Sequence, residues 1–271
     1  MLRVGIVGAG GISRSHLAGL RSVAEVEVAA IHDVDRSAAM SLAASCDADV
    51  AGSVADLIAA CDAVFVCTWT AAHREIVEAA AAAGRAVFCE KPLAPTLAGA
   101  QAMAAAVSSA GVVNQVGLPL RWQAGFAVLR DMVADPANGN VLSVTLHTQM
   151  AVRKSVVTGW RRDFARAGGG VLIEVGFHDL DLLEWLFGPV SMLSMSTRPG
   201  RYQGIEDAAS VGMGFANGAV GSLVAAWHEA PSAHPSRRLH VVCEHAQYLV
   251  DGGSQLTVSG PGERAQVLDA S

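Results

Sequence analysis

Short apolar runs alternate with helix-like segments over roughly the first 117 residues of the chain. The runs that predict strands lie at residues 4–7, 26–31, 62–67, 86–89 and 112–116. Between them apolar residues recur at helical spacing, and Ser37 and Thr96 are predicted N-caps. Gly84 and Gly111 are predicted helix ends. Because runs that are apolar throughout are typical of strands buried on both faces, this alternation predicts an α/β fold with a doubly wound parallel sheet, the Rossmann arrangement.

The pattern changes from Leu118 onward, where alanine becomes less frequent while tryptophan and arginine appear. Helices are predicted there around residues 126–133 and over 171–187. Segments of alternating polarity predict strands at residues 141–150, 191–197, 208–215, 219–227 and 239–250. We therefore expect two domains, over residues 1–118 and 119–271, the second an α+β domain with a mostly antiparallel sheet.

Composition and charge exclude several classes of protein. Of the 271 residues 52% are apolar and 16% are charged, and the formal net charge is −6. The apolar content is typical of a folded protein, and the negative charge argues against nucleic acid as a partner. The five cysteines form no C-x-x-C pair, which argues against a disulfide framework or a zinc knuckle. A cytoplasmic protein without a membrane partner is expected, because no secretory signal follows Met1 and aspartates interrupt the apolar stretch at 48–72.

A glycine-rich turn joins the first predicted strand to the first predicted helix. The candidate cofactor contacts in this turn are Gly8, Gly10, Gly11, Ile12 and Ser13. A first glycine permits a tight turn, and a second lets the backbone approach a pyrophosphate at the helix N-terminus. Asp33 follows Ser13 by 20 residues, close to the spacing at which an acidic side chain binds a ribose. The turn therefore predicts dinucleotide binding; a turn without a ligand and a methyltransferase glycine loop are the alternatives.

Asp33 also bears on which dinucleotide is bound. Its carboxylate is able to accept hydrogen bonds from a ribose 2′-hydroxyl and would repel a 2′-phosphate. Arg36, three residues later, is able to pair with that phosphate. NAD is therefore the predicted cofactor, and NADP is the alternative.

A lysine follows the apolar run at 86–89, in the sequence Glu90-Lys91-Pro92. The carboxyl ends of parallel strands face the ligand crevice, so an ammonium group there is able to stabilise negative charge on a substrate oxygen during hydride transfer. The only lysines in the chain are Lys91 and Lys154. Lys91 is therefore a catalytic candidate, and a solvated surface lysine is the alternative.

Acid and base groups share a face of the helix predicted after Gly168-Gly169-Gly170. Glu174 and His178 are four residues apart, and Asp181 follows three residues later. A histidine beside a carboxylate is suited to move a proton near neutral pH. The alternative is an amphipathic helix with one ion pair. The glycines indicate close approach of another backbone or of a cofactor.

These three motifs, in this order, resemble the Gfo/Idh/MocA family of NAD(P)-dependent sugar oxidoreductases over roughly residues 2–227. The resemblance implies that Lys91 is the catalytic lysine, that His178 is the acid/base group and that Glu174 occupies the position of a family aspartate. It also places Glu90 and Lys91 at the cofactor, and Lys91, Glu174 and His178 at the substrate. The extra methylene of Glu174 moves its carboxylate, which alters how it orients His178 or holds substrate.

Further contacts follow from the same resemblance. Many members have Thr-Pro-Asn-x-x-His after the fourth strand, and this chain keeps Thr68 and His73 but has Trp69 at the proline. These residues are expected at the cofactor, with a buried aromatic of no direct role as the alternative for Trp69. The predicted substrate-pocket residues, all in segments similar to the family's, are Arg121, Trp160, Arg161 and Arg162.

A histidine-rich stretch near the C-terminus raises the question of a metal. It contains His228, His234, His240, Cys243 and His245, whose spacings match no common metal site. No metal is therefore expected. The chain ends at Ser271 whereas family members are commonly longer, which indicates a compact or an incomplete variant.

The predicted function is hydride transfer between nicotinamide and a hydroxyl or keto carbon of a sugar, cyclitol or related polyol. A dinucleotide-binding sensor without turnover is the alternative that Glu174 and the short C-terminus keep open. A glycosidase that uses bound NAD transiently is less favoured, because the only tyrosines are Tyr202 and Tyr248.

A homodimer or homotetramer is predicted through the sheet of the second domain, as the resemblance also implies. Helices are expected to cover one face of this sheet. The other face is expected to carry Val211, Met213, Phe215, Leu223 and Ala225. An uncovered apolar face of this kind favours association with a second copy.

Overall fold

A computed structural model describes residues 1–151, 159–202, 204–230, 237–260 and 266–269. The chain forms two compact units. The first unit consists of Met1–Gly117 together with the short segment Ala165–Gly168. The second unit consists of Leu118–Phe164 and Gly169–Ser271.

A parallel sheet with helices forms the first unit. Its strands are β1 (Leu2–Val7), β2 (Val26–His32), β3 (Asp49–Val50), β4 (Ala63–Val66), β5 (Ala86–Cys89) and β6 (Asn114–Val116). Its helices are α1 (Gly11–Leu20), α2 (Arg36–Ala43), α3 (Val54–Ala60), α4 (His73–Ala82) and α5 (Leu97–Ala110). The strand order β3-β2-β1-β4-β5-β6 runs outward from β1 in both directions, which confirms the predicted doubly wound sheet and places the topological switch point between β1 and β4.

The core of this unit contains the strands that are apolar throughout. Ile6 of β1, Ile31 of β2 and Val64 of β4 are completely buried. Leu42 of α2 belongs to one of the two apolar clusters of the unit, and Leu57 of α3 belongs to the other. Burial on both faces explains why these strands show no alternation of polarity.

The ends of α5 follow the sequence closely. Thr96 caps the helix by accepting a hydrogen bond from the Gly99 N–H at 3.2 Å, as predicted. Gly111 ends it with φ at +63°, a conformation that favours glycine. Both predicted boundaries of this helix are therefore confirmed.

The cap of α2 differs from the prediction. Asp35, not Ser37, caps this helix, because its carboxylate accepts hydrogen bonds from the N–H groups of Ser37 and Ala38. The prediction of Ser37 was wrong because the helix begins earlier, at Arg36, which leaves Ser37 inside the first turn. Aspartate and serine are caps of similar strength, so residue type alone does not decide between them.

A mostly antiparallel sheet forms the second unit. Its strands are β7 (Val141–Ala151), β8 (Val190–Tyr202), β9 (Ile205–Phe215), β10 (Val220–His228), β11 (Arg237–Cys243), β12 (Gln247–Asp251), β13 (Gln255–Ser259) and β14 (Gln266–Asp269). Its helices are α6 (Ala124–Ala134) and α8 (Phe177–Phe187), whereas α7 (Phe164–Ala167) lies largely in the segment Ala165–Gly168 of the first unit. The order is β14-β13-β12-β11-β7-β10-β9-β8, with β7 and β10 as a parallel pair and the other neighbours antiparallel.

The end of this sheet was only partly predicted. The segment 239–250 forms two strands, β11 and β12, joined by a turn at residues 244–246. That turn contains neither glycine nor proline, so the sequence carries no strong turn signal there. Two further strands, β13 and β14, extend the sheet at its edge and were not predicted.

Helices cover the face of the second sheet that was predicted to be uncovered. Val211, Met213, Phe215, Leu223 and Ala225 have exposed fractions of 0–3%. The first four pack in one core cluster with residues of α6 and α8, and Ala225 packs beside the helical segment that precedes α8. The prediction of an uncovered face at these positions was therefore wrong. Alternation separates the two faces of a strand but does not say which one the helices cover.

The helix predicted over 171–187 begins with a π-helical turn at Leu172–Gly176 and continues as α8. A π turn has a wider winding than an α-helix and occurs often at functional sites. Among the described residues no helix combines the length and apolar content of a membrane span.

Candidate active site

The glycine-rich turn has the shape that its sequence requires. Gly8 lies at φ +99°, and a Cβ there would lie 2.6 Å from the Cys67 carbonyl oxygen, so only glycine fits. At Gly10 and Gly11 an added Cβ would meet nothing within 4 Å, and both residues are exposed. In the described part of the chain no side chain caps α1, whose N-terminus lies here. The residues therefore fit the pyrophosphate of a dinucleotide, which needs free N–H groups and open space.

Ser13 stands where the fingerprint has its third glycine. Its side chain is completely buried, and its Oγ donates a hydrogen bond to the Gly8 carbonyl at 2.6 Å. Ile12, the residue before it, is 43% exposed on α1. Ser13 therefore stabilises the turn through a buried hydrogen bond, and Ile12 lies on the exposed side of α1.

Asp33 is fixed directly beside the glycine turn. Its Oδ2 accepts a hydrogen bond from the Ala9 N–H at 2.6 Å, and its Oδ1 accepts one from the Asp35 N–H at 2.8 Å. Arg36, the first residue of α2, is exposed. The structure thus brings the predicted ribose-binding carboxylate to the turn and leaves the predicted phosphate-binding guanidinium at the surface.

The loop after β4 carries the next three predicted residues. Thr68 and Trp69 are both half-buried. The Thr68 Oγ1 donates to the Trp69 carbonyl at 3.4 Å, and the Arg166 guanidinium lies 5.7 Å from the centre of the Trp69 ring. Trp69 therefore forms a cation–π contact with Arg166, which lies in the segment Ala165–Gly168 of the first unit.

His73 is buried, with only 1% of its surface exposed. Its Nδ1 lies 3.0 Å from the Pro92 carbonyl, and its Nε2 lies 3.2 Å from the Thr68 carbonyl. Burial lowers the pKa of His73, so the neutral ring donates to one of these oxygens at a time. The side chain joins the loops that follow β4 and β5, which favours a structural role over the predicted cofactor contact.

Glu90 and Lys91 follow β5 directly, and both are half-buried. The Glu90 Oε1 lies 2.6 Å from the His16 Nε2, and the Glu90 Oε2 accepts a hydrogen bond from the Lys91 backbone N–H at 3.1 Å. The His16 ring packs edge-on against Phe65 and Phe88, at centroid distances of 5.8 and 4.8 Å. The sequence carries no local signal for this contact, because the two residues are 74 positions apart.

Two thiols lie next to this carboxylate. Burial, with a smaller contribution from Glu90, raises the pKa of Cys67 to about 12. Burial likewise raises the pKa of Cys89, and the neighbouring Cys67 adds to the effect. Both residues are therefore neutral thiols at physiological pH and are not suited to act as nucleophiles.

In the second unit, Glu174 lies in the π turn and is bound to a predicted pocket residue. Its Oε1 accepts a hydrogen bond from the Arg161 Nε at 2.9 Å. The Arg161 guanidinium in turn lies over the Trp160 ring, 4.4 Å from its centre. The structure thus brings three of the predicted residues together, while Arg162 next to them is exposed. His178 is half-buried at the start of α8.

Arg121 is bound to Asp181, which lies on the same helix as His178. Its Nε donates to the Asp181 Oδ2 at 2.9 Å, and its Nη2 donates to the Asp181 Oδ1, which raises the pKa of Arg121. This bidentate pair connects the turn at Pro119–Trp122 to α8. The arrangement gives Arg121 a structural partner in addition to its predicted role in the substrate pocket.

The glycine run before this helix serves a close backbone contact. A Cβ on Gly170 would lie 2.0 Å from the Glu206 carbonyl oxygen on β9. The Glu206 carboxylate accepts hydrogen bonds from the Gly170 N–H at 2.8 Å and from the Leu172 N–H at 2.9 Å. For Gly170, the approaching group is therefore another backbone, one of the two possibilities that the sequence left open.

Asp179, which follows His178, is a second feature that the sequence did not indicate. It is completely buried, and its Oδ1 accepts a hydrogen bond from the Arg237 Nε at 2.6 Å. Burial raises the pKa of Asp179, against the opposing effect of Arg237. The pair anchors α8 to β11.

The histidine-rich stretch is only partly described, because His234 lies outside the described residues. Within the described ranges no group of three potential metal ligands was found. His240 lies 3.3 Å from the Gln247 side-chain oxygen on the neighbouring strand. Of the other described residues of this stretch, His228 ends β10, Cys243 ends β11, and His245 lies between β11 and β12.

Comparison with known proteins agrees with this geometry. Residues 2–118 match the family described as "Oxidoreductase family, NAD-binding Rossmann fold", and residues 126–249 match the "GFO/IDH/MocA C-terminal domain". The chain is 32% identical over 237 residues to 1,5-anhydro-D-fructose reductase of Ensifer adhaerens, covering 85% of this chain and 69% of that protein. It is 36% identical over 190 residues to inositol 2-dehydrogenase of Cereibacter sphaeroides, covering 68% of this chain and 54% of that protein.

A solved structure has the same fold. An oxidoreductase from Agrobacterium radiobacter, in complex with NAD⁺, L-tartaric acid and magnesium, superimposes with a TM-score of 0.89. The match covers 100% of this chain and 80% of that one, at 22% sequence identity. Because the two family matches together span most of the chain, from the NAD-binding Rossmann domain into the second unit, this protein belongs to the Gfo/Idh/MocA family of NAD-binding oxidoreductases.

Proposed function

We propose that this chain is an NAD-dependent dehydrogenase or reductase that acts on a hydroxyl or keto carbon of a sugar, cyclitol or related polyol. The observation that carries the proposal is that Lys91 follows β5, at the same edge of the sheet as the glycine turn after β1. Cofactor and substrate are expected at that edge in a doubly wound sheet. The names of the relatives, a reductase of an anhydro sugar and a dehydrogenase of a cyclitol, support the substrate class.

Lys91 and His178 divide the chemistry between them. Bound NAD accepts or supplies hydride at its nicotinamide ring. The oxygen on the reacting carbon must lose or gain a proton in the same event, and His178 is the proposed group that takes or returns it. The ammonium group of Lys91 is proposed to stabilise the negative charge that develops on that oxygen.

Glu174 and Arg161 are proposed to recognise substrate hydroxyl groups. Their ion pair partly cancels both charges, and Trp160 covers one side of the guanidinium. A carboxylate accepts hydrogen bonds from neutral polyol hydroxyl groups, and a guanidinium group donates hydrogen bonds to them. The residues from 119 onward are accordingly proposed to form the substrate-binding domain, and the residues before 119 the NAD-binding domain.

NAD is proposed over NADP because of Asp33. Both oxygens of its carboxylate are fixed by backbone N–H groups beside the glycine turn. A fixed negative charge there repels a 2′-phosphate and leaves lone pairs for a 2′-hydroxyl. The exposed Arg36 is the group through which NADP would still bind.

A dinucleotide-binding sensor without turnover is the second candidate. One observation favours it: Glu174, at the position of the family aspartate, is engaged by Arg161. If that pair closes the substrate site instead of lining it, the chain would bind the dinucleotide and release it unchanged. Binding without turnover would then be its function.

A screen of sugars and cyclitols with NAD and with NADP, read as absorbance at 340 nm, tests the proposal. Turnover that is lost in Lys91→Ala supports the enzyme. Dinucleotide binding by calorimetry with no turnover on any compound of the screen supports the sensor. Turnover that persists in Lys91→Ala contradicts the assigned chemistry, because the charge on the substrate oxygen would then be stabilised by another group.

A homodimer or homotetramer in the cytoplasm is the proposed state of the protein. All five cysteines are free thiols, which favours a reducing compartment. The sheet face that remains for association is the one opposite α6 and α8, where Ser222 of β10 pairs with Thr145 of β7 and Val224 pairs with His147. Aligned packing of two sheets, face to face, is the contact proposed there.

A further inference from the structure

The His16 side chain reaches from the cofactor-binding helix α1 to the loop of Lys91. Its Nε2 lies 2.6 Å from the Glu90 Oε1. An ionised carboxylate only accepts hydrogen bonds, so Nε2 carries the hydrogen and donates it. The ring is held in place by its edge-on contacts with Phe65 on β4 and Phe88 on β5. His16 therefore contacts Glu90 from a fixed position on α1.

The Glu90 carboxylate is fixed on its other side as well. Its second oxygen accepts the Lys91 backbone N–H at 3.1 Å. A Cβ added to Gly117, just after β6, would lie 3.1 Å from each carboxylate oxygen, so the carboxylate lies against the Gly117 backbone. The side chains of His16 and Glu90 are only 21% and 13% exposed. The carboxylate thus has a defined position between α1 and the ends of β5 and β6.

We propose that His16 is a positioning residue, which acts through Glu90 to fix the main chain of Lys91 and so the point from which its ammonium group extends. This inference rests on the proposed function for its catalytic consequence. Positioning matters in catalysis because a displacement of about 1 Å at a reacting group costs up to about 10²-fold in rate. The same contact couples α1, whose N-terminus forms the glycine turn, to the loop that bears the catalytic lysine.

Two variants separate the hydrogen bond from the packing of the ring. His16→Phe keeps an aromatic ring against Phe65 and Phe88 but has no donor for Glu90. His16→Gln places an amide donor near the position of Nε2 but lacks the ring. Ala18→Gln, at an exposed position on the same helix, controls for a glutamine on α1.

The first test follows Lys91 directly and needs no substrate. The chain has two lysines, Lys91 and Lys154, so selective ¹⁵N-lysine labelling gives two backbone amide signals, which Lys154→Arg assigns. We expect hydrogen exchange of the Lys91 amide to become about fivefold faster, or more, in His16→Phe, because Glu90 loses the partner that fixes it. The rate should return toward the wild-type value in His16→Gln and stay unchanged in Ala18→Gln. An unchanged Lys91 signal and exchange rate in His16→Phe would overturn the proposal.

The second test is kinetic. We expect kcat to fall about tenfold in His16→Phe, with the Kd of NAD within about twofold of wild type, and to recover in His16→Gln. In a Lys91→Ala background His16→Phe should have no further effect, because residues that act through one another are not additive. A full additional loss in that background would show that His16 does not act through Lys91.

The two tests distinguish failure of this inference from failure of the proposed function. If Lys91→Ala keeps normal turnover, the assigned catalytic role is wrong, and the exchange experiment still decides whether His16 fixes the Lys91 main chain. If Lys91→Ala loses turnover while the exchange rate of the Lys91 amide does not change in His16→Phe, the proposed function is supported and the positioning role of His16 is wrong. Thermal unfolding of each variant identifies any that owes its loss to instability.

Discussion

Main-chain groups hold three of the predicted site residues of the first unit in place. Ser13 bonds to a carbonyl, Asp33 to two N–H groups, and His73 lies between two carbonyls. Since a backbone hydrogen bond ties a side chain to a loop, a substitution at these positions moves the loop as well as removing the side chain. Functional tests at this scale therefore need variants that keep the shape of the side chain.

Lys91 and His178 should dominate the rate of the reaction. General acid/base groups supply about 10²–10⁴ in rate, and we expect Lys91→Ala and His178→Ala each to lower kcat by that order. The Kd of NAD should stay nearly unchanged, because neither role involves the dinucleotide phosphates or ribose. Steady-state kinetics on the substrate found by the screen, together with calorimetry of NAD, measures both quantities.

Glu174→Ala serves as the comparison for those two variants. It should cost less in kcat, because Glu174 orients groups and does not itself transfer the proton. Since Glu174 is bound to Arg161, its loss should also raise KM by freeing that guanidinium. A loss in Glu174→Ala as large as that in His178→Ala would instead make Glu174 the proton-transferring group.

The charge of Asp33 should set the preference for NAD over NADP. Asp33→Asn keeps the size of the side chain and removes the charge, so we expect the ratio of the two affinities to fall about tenfold, or 1.4 kcal/mol. Asp33→Ala should also reduce the preference for NAD over NADP. It should in addition weaken the binding of NAD, because the Ala9 N–H loses its acceptor. Calorimetric titration of both variants with NADH and NADPH checks this, and tighter binding of NADPH by the wild type would reverse the assignment.

The residues of the candidate site were predictable from the sequence where they belong to a local motif. The glycine turn and the loop of Lys91 are contiguous motifs at strand ends, and their spacing is read directly. The bonds of His16 to Glu90 and of Asp179 to Arg237 join residues 74 and 58 positions apart. No local pattern specifies such contacts, since the sheet topology alone brings these residues together.

At the scale of elements, the close packing of β9 against the start of the helix that bears Glu174 and His178 depends on Gly170. A Cβ there would lie 2.0 Å from the Glu206 carbonyl, so Gly170→Ala must push β9 away from the helix. Overpacking of this kind costs about 1–3 kcal/mol. We expect Gly170→Ala to lower the free energy of unfolding by about that amount and to lower kcat, since the π turn carries Glu174.

Gly19→Ala is the matched control for this variant. An added Cβ on Gly19, in α1, meets nothing within 4 Å. Alanine forms helix better than glycine, by up to about 1 kcal/mol, so this variant should be neutral or slightly stabilised. Urea denaturation compares the two proteins, and equal stabilities of Gly170→Ala and the wild type would contradict the close contact.

Elements were predictable where periodicity and caps agree, and not elsewhere. Thr96 and Gly111 bound α5 as expected because cap and period coincide. The strand β3 has two residues, too few for any period to be recognised. The parallel pairing of β7 with β10 is invisible to the sequence as well, because a strand pattern does not state the direction of its neighbour.

At the scale of the whole molecule, the order of motifs was more informative than any one of them. A single glycine turn is a weak signal. A glycine turn after β1, a lysine after β5 and a histidine on a later helix together indicated the family that the comparisons confirm. The prediction of which face of the second sheet is uncovered was wrong. The covered face is decided by where α6 and α8 pack, which is a property of the complete unit.

Association through the second sheet is the last prediction. On the face opposite the helices, Val224 of β10 lies between Ser210 of β9 and His147 of β7. If two copies pack these faces together, Val224→Arg places a charge in the centre of the contact, which is strongly unfavourable when it is buried without a partner. We expect multi-angle light scattering at micromolar concentration to give a dimer or tetramer for the wild type and a monomer for Val224→Arg. Met40→Arg, at an exposed position on α2, should leave the assembly unchanged. A wild-type monomer would remove the prediction, and an oligomer that survives Val224→Arg would place the interface on another surface.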